Sequence, residues 1–166
     1  QTANTTIVSG NIGVAGSGDL ARVNLATGTG VTTTFGGSVN AALINVTANG
    51  TVVFTDDVTS AELIDNTDAT YTIPANKKFV GSIDTDADTD QGTFNFAATT
   101  TDTVLVSGTV GDSMSVKAIT VAPATGITAT FTGAVDVATM THSGAGTVTL
   151  GSTLGAGEAS DIDISG

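Results

Sequence analysis

Apolar and small polar residues alternate along this chain in short runs, and the runs are separated by glycine. Leu20-Ala21-Arg22-Val23-Asn24-Leu25-Ala26 alternates with a period of two, as does its counterpart Val116-Lys117-Ala118-Ile119-Thr120-Val121-Ala122. That period is the mark of a half-buried strand. Thr29-Gly30-Val31-Thr32-Thr33-Thr34-Phe35 matches Thr125-Gly126-Ile127-Thr128-Ala129-Thr130-Phe131, again with strand character. Thr and Val in quantity, punctuated by Gly, predict many short strands and tight turns rather than helices. Pro74 and Pro123 fall at predicted strand ends, where a missing N–H does least harm.

The runs belong to repeated cassettes. Phe-x-Gly-small-aliphatic occurs as Phe35–Val39, Phe79–Ile83 and Phe131–Val135. Each copy is followed by Gly-Thr-x-x-Phe or -Leu, at Gly50–Phe54, Gly92–Phe96 and Gly146–Leu150, after gaps of 15, 13 and 15 residues. From Phe35–Phe54 to Phe131–Leu150 the offset is 96 residues without a gap, and it extends to Glu62 on Glu158 and Asp65 on Asp161. Half of that offset, roughly 48 residues, is a unit seen three times. The units run over about 7–58, 59–104 and 105–154, with the start of a fourth at 155–166, after a flexible segment at 1–6. A strand-only unit of this length holds about two coils of a three-faced solenoid, at roughly 20–25 residues each. The expected fold is therefore all-β, a right-handed parallel β-solenoid. Phe35, Val39, Leu43 and Phe54 point inward with their equivalents stacked above them, and Gly37, Gly81 and Gly133 sit at corners. The alternative is an antiparallel β-sandwich. Only Asn49-Gly50 offers the hairpin turn that such a sandwich favours.

Composition narrows the function classes. The 166 residues carry 16 acidic and 4 basic side chains, a net charge of −12, which argues against nucleic acid and against anionic lipid. No run of 18 apolar residues exists to insert in a membrane, and the absence of cysteine excludes a disulfide framework. The first residue is Gln rather than Met, which suggests a processed mature end or an excised segment; the chain is expected to be exported, with its signal peptide removed.

One stretch has chemistry of its own. Asp84, Asp86, Asp88 and Asp90 fall at every second position, and four such carboxylates repel one another unless a cation lies among them. Alternate residues of an extended strand share a face, so these four are candidate calcium ligands. The competing reading is a solvated acidic turn. An EF-hand loop would require Gly where Thr89 stands and Glu where Asn95 stands. His142 is the sole histidine; Ser143 and Asp136 are near it in sequence, but it occupies a repeat position, that of Val46, which reads as structural. No other cofactor is expected, and the chain is not expected to be an enzyme.

Ala129–Val135 followed by Gly144–Leu150 resembles the repeats of large surface-antigen autotransporters of rickettsia-type bacteria, and those of bacterial surface-layer and haemagglutinin-like adhesins. The resemblance covers most of residues 7–154 and implies an exported, cell-surface or extracellular structural module. It carries over no catalytic residues. The function expected is a self-assembling subunit or stalk of a surface layer, filament or adhesin, whose partner is a further copy of the chain. The alternative is an adhesin module that recognises a glycan or host surface. A third reading is an ice-binding solenoid. Thr32 with Thr34, Thr128 with Thr130, and Thr147 with Thr149 form Thr-x-Thr pairs of the kind such proteins stack, but Lys77-Lys78 stands at the matching place in the middle copy.

Overall fold

A computed structural model describes residues 4–14, 20–86, 90–97, 99–154 and 161–164. Among these, every regular element is a strand. The first five are β1 (Asn4–Val8), β2 (Val23–Leu25), β3 (Val31–Phe35), β4 (Val39–Val46) and β5 (Thr51–Phe54). Next come β6 (Val58–Asp65), β7 (Thr70–Ile73), β8 (Phe79–Thr85), β9 (Gln91–Phe96) and β10 (Thr103–Val106). The last are β11 (Val116–Val121), β12 (Thr128–Phe131), β13 (Val137–His142), β14 (Thr147–Leu150) and β15 (Asp161–Ile164).

The strands alternate between two sheets. Sheet 1 has the order β1-β3-β5-β7-β9-β11-β13-β15, and sheet 2 the order β14-β12-β10-β8-β6-β4-β2. Neighbours within both sheets are parallel, so the chain is a right-handed parallel β-solenoid of about six turns and not an antiparallel sandwich. Coil length varies: Thr51 pairs with Thr70 after 19 residues, whereas Phe79 pairs with Val106 after 27. The longer coils carry their extra residues at corners, where the ladder is not interrupted.

Hydrogen bonding gives two sheets where three faces were expected, because sheet 2 is bent. In β4, β6 and β8 one strand covers both arms of the bend, with a register shift between Thr59 and Glu62. Gly81 turns the corner in β8 with φ +133°; a Cβ there would lie 1.6 Å from the Ser60 carbonyl oxygen. In later coils the second arm shrinks to single bridges joining Ile83, Val110, Val135 and Leu154. The bend also flips the side-chain alternation. Leu43, expected inside, is half-exposed, and Ile44 is fully buried in its place.

The core is a stack of one layer per coil. Under sheet 1, Val52, Tyr71, Phe94, Ile119 and Met140 follow one another at 3% exposure or less. In β5, β7, β9 and β11 each lies between two half-buried outward residues, and in β13 Met140 lies between exposed Thr139 and half-buried Thr141. Tyr71 and Phe94 stack with centroids 4.4 Å apart, and Phe35 and Phe54 at 5.5 Å. Burying each such ring contributes about 1.5–3 kcal/mol.

The sequence units and the coils divide the chain differently. Phe35 and Phe54 are one coil apart on sheet 1; Phe131 and Leu150 are one coil apart on sheet 2. Phe79 lies in sheet 2 and Phe96 in sheet 1, half a coil on. Equivalent cassettes therefore do not stack on one another as expected. Phe131 instead meets Phe96 edge-on across the core at 5.6 Å. Strand β1 begins at Asn4, inside the segment expected to be flexible.

Candidate functional site

Strand β8 ends at Thr85, so Asp84 lies on the strand and Asp86 follows its end. Asp84 is buried at 3% exposure. Its Oδ1 accepts from the backbone N–H groups of Thr85 at 2.9 Å and Ser113 at 3.0 Å, and Oδ2 lies 3.2 Å from the same Ser113 nitrogen. The carboxylate thereby caps the corner of the following coil. Asp90 has φ +60° and is pinned to that same corner. Its backbone N–H donates to the Ser115 carbonyl, and its Oδ1 accepts the Ser115 hydroxyl at 2.9 Å. Asp86 is exposed, and Asp88 lies outside the described residues. Among the described residues no three His, Asp or Glu side chains converge as a metal set. What the structure displays at Asp84 and Asp90 is acceptor chemistry towards the Ser113–Ser115 corner.

These aspartates belong to a wider acidic belt. Residues 51–113 hold eleven of the 16 acidic side chains, while residues 1–50 hold Asp19 and Arg22 alone. Glu62, opposite Ser82, has its pKa raised, first by burial and then by the charges of Asp84, Asp86 and Asp112. Asp65 is fully buried at the next corner and accepts from the Thr67 N–H and hydroxyl, both at 2.9 Å, and from Ala69 N–H at 3.2 Å. Burial raises its pKa against those donors. Burial, and then the nearby Asp65 carboxylate, likewise push the Tyr71 phenol well up; its hydroxyl lies close to that carboxylate but outside hydrogen-bonding geometry.

His142 ends β13 and Asp136 immediately precedes that strand. A rise of about 3.3 Å per residue sets them about 20 Å apart, so no Ser–His–Asp arrangement forms. Asn45, a candidate glycosylation acceptor by motif, is part of an asparagine ladder instead. Its amide donates to Asn24 Oδ1 at 3.4 Å and its carbonyl accepts from Asn66 at 2.8 Å.

Two open concavities lie near the N-terminal coils. A groove of about 660 Å³ crosses four coils on the outside of sheet 2, lined by Asn11, Ser38, Asn40, Asp57, Thr59 and Lys78 among others. A second, of about 470 Å³, opens into the end of the core between Val8, Ile12, Val23, Leu25 and Phe35. Large apolar side chains are exposed in that first coil: Ile7 at 68%, Val14 at 63% and Leu20 at 44%.

The register also relocates the Thr-x-Thr pairs. Lys77 and Lys78 stand in the corner between β7 and β8, with Lys77 bound to Asp56 at 2.6 Å. The β7 positions stacked over Thr51 and Val53 are Thr70 and Thr72. Aligning cassettes hid this, because it placed the middle copy on the wrong strand. The visible signal was Thr70-Tyr71-Thr72 itself, two threonines flanking an aromatic residue.

No protein-family model matches the chain, and no curated protein or solved structure matches it.

Proposed function

We propose that the chain is a structural rod of an extracellular or cell-surface assembly, and that copies join end to end. The observation that carries this reading is the openness of the end layers. At one end lie the 470 Å³ opening and the exposed Ile7, Val14 and Leu20. At the other, Val148, Leu150 and Leu154 are only half-buried, and β14 is exposed-intermediate in alternation where the inner β5 is intermediate-buried. β1 and β15 are the outer strands of one parallel sheet, so the free edge of one is complementary to the free edge of the other. Charge supports the same geometry. The acidic belt around residues 51–113 repels side-by-side contacts, while the N-terminal coils hold almost no net charge.

Negative-stain microscopy with light scattering, with and without millimolar calcium, tests it. Ordered filaments are the expected result, and calcium dependence of assembly, lost in Asp86→Asn, would bring a cation to the segment that holds Asp84, Asp86, Asp88 and Asp90. A monomer under every condition would leave a stalk segment without self-assembly. A second reading, an adhesin module for a linear glycan, is favoured by the groove with its row of amide, hydroxyl and charged side chains across successive coils. Titration with linear polysaccharides, compared with Lys78→Ala, tests that reading, and unchanged weak signals in both would remove it.

A further inference from the structure

We infer that the outer face of sheet 1 is an ice-binding face. Two rows of outward side chains cross this face along the solenoid. The first is Thr5, Thr32, Thr51, Thr70 and Thr93, continued by Ala118 and Thr139. The second pairs Thr34 with Ile7 and Val53, and Thr72 with Val53 and Asn95, before Thr120 and Thr141. Threonine fills six of seven positions in the first row and four of seven in the second, from β1 to β13. The pleat spaces the array at about 4.8 Å along the rows and about 6.7 Å between them. Ordered water on the prism faces of ice repeats at closely similar intervals in both directions.

Three further observations point to ordered water as the ligand. The first is that, among the described residues, none of these ten hydroxyls has a hydrogen-bond partner, whereas threonines at corners do: Thr47, Thr55 and Thr132 each donate to a carbonyl of the preceding coil. The row hydroxyls are left to solvent, each beside a methyl group that restricts how water can arrange itself there.

The second is charge. In a chain of net charge −12, neither row holds a charged side chain from β1 to β13; both end on aspartates in β15, where Asp161 pairs with Thr139 and Asp163 with Thr141. At the rim, Lys117 and Asp68 neutralise each other in an ion pair. A charged group orients water around its own charge and would break a lattice match.

The third is rigidity. From β3 to β13 the residue between each pair of row positions is buried, as Val52, Tyr71 and Phe94 are, whereas Thr6 in β1 is exposed. Threonine is itself stiff at χ1, so the array loses little entropy on docking. Crystalline polysaccharide is the less suitable partner, because neither row has an aromatic ring to stack on sugars.

The inference is independent of end-to-end joining, and the test separates them. The purified full chain is grown into an ice hemisphere and its thermal hysteresis is measured, beside Thr72→Lys, Val53→Thr and Thr130→Lys. The unmodified chain is expected to enter the ice and to give hysteresis. Thr72→Lys should lose both while keeping its urea midpoint, Val53→Thr should gain by filling a gap, and Thr130→Lys, on sheet 2, should change neither. Exclusion of the unmodified chain from ice would overturn the inference, as would equal loss in Thr130→Lys. So would a face-to-face dimer, or binding to crystalline polysaccharide, that Thr72→Lys abolishes with no ice activity in the parent.

Discussion

Phe35–Phe54 and Phe131–Leu150 spell nearly the same strand-corner-strand message, yet the first lies on sheet 1 at its strand ends and the second on sheet 2. In the first copy the layer is closed from both sides: Phe35 and Phe54 are exposed at 2% and 1%, and they stack on each other. In the second, Phe131 is fully buried but Leu150 is half-exposed, because β14 is the outermost strand of its sheet. The outward threonines differ as well. Thr32, Thr34 and Thr51 join rows that cross seven strands, whereas Thr128, Thr130, Thr147 and Thr149 belong to a face only about three strands deep, where Val104 precedes them. The cassette encodes a strand and its corner. Which face that strand builds, and how far a pattern on it extends, is set by the coils on either side.

The comparison can be tested in order of expected effect. Phe54→Ala should cost about 3–5 kcal/mol in urea unfolding, and Leu150→Ala about half of that. Equal losses would mean that the terminal layer is as closed as the interior. The equivalent glycines should also diverge. A Cβ on Gly133 would lie 2.3 Å from the Gly108 carbonyl oxygen, a backbone atom, whereas on Gly37 the nearest atom is the side-chain Oδ1 of Asn11 at 2.3 Å. Gly133→Ala should therefore cost about 1–3 kcal/mol and exceed Gly37→Ala, where the Asn11 side chain can move and the nearest backbone atoms, of Asn11 and Gly10, lie at 2.9 Å. Asn45 and Thr141 share a repeat position. Asn45→Ala should cost about 1 kcal/mol by breaking the asparagine ladder, and Thr141→Ala less than about 0.5 kcal/mol.

The smallest effect concerns pH. The Glu62 pKa is raised above its ordinary 4.5, so the folded state holds that proton more tightly than the unfolded state does. Its contribution is most favourable below 4.5 and is lost as pH rises through the folded value. Glu62→Gln should thus gain a few tenths of a kcal/mol at pH 7 and nothing at the acid end, as read from paired urea midpoints. A gain that persisted in acid would place the cause in packing rather than charge.

Much of the fold was legible. The period-two runs marked β2 and β11, the matched runs marked β3 and β12, and glycine marked the corner at Gly81, because these signals are local. The assignment of faces was not legible, since Thr and Val alternation suits either sheet and coil length varies from 19 to 27 residues. Leu43 was misplaced by the bend of sheet 2, which inserts one residue into the alternation between Ala41 and Ile44. The aspartate run was conspicuous, but the role of Asp84 depends on Ser113, 29 residues away and set against it only by the register of the next coil. The rows on sheet 1 were partly visible, in Thr32 and Thr34, and became continuous only once Thr70 and Thr72 were seated on β7.

The step from β3 to β12 is an odd number of strands, and strands alternate between sheets. Duplication of the 96-residue interval therefore inverts parity. Whatever one copy presents on the left, the next presents on the right, and a third would restore the original side. A gene that lengthened by such duplications would produce a rod whose decoration switches flank at regular intervals. It could acquire two-sided character without altering a single side chain.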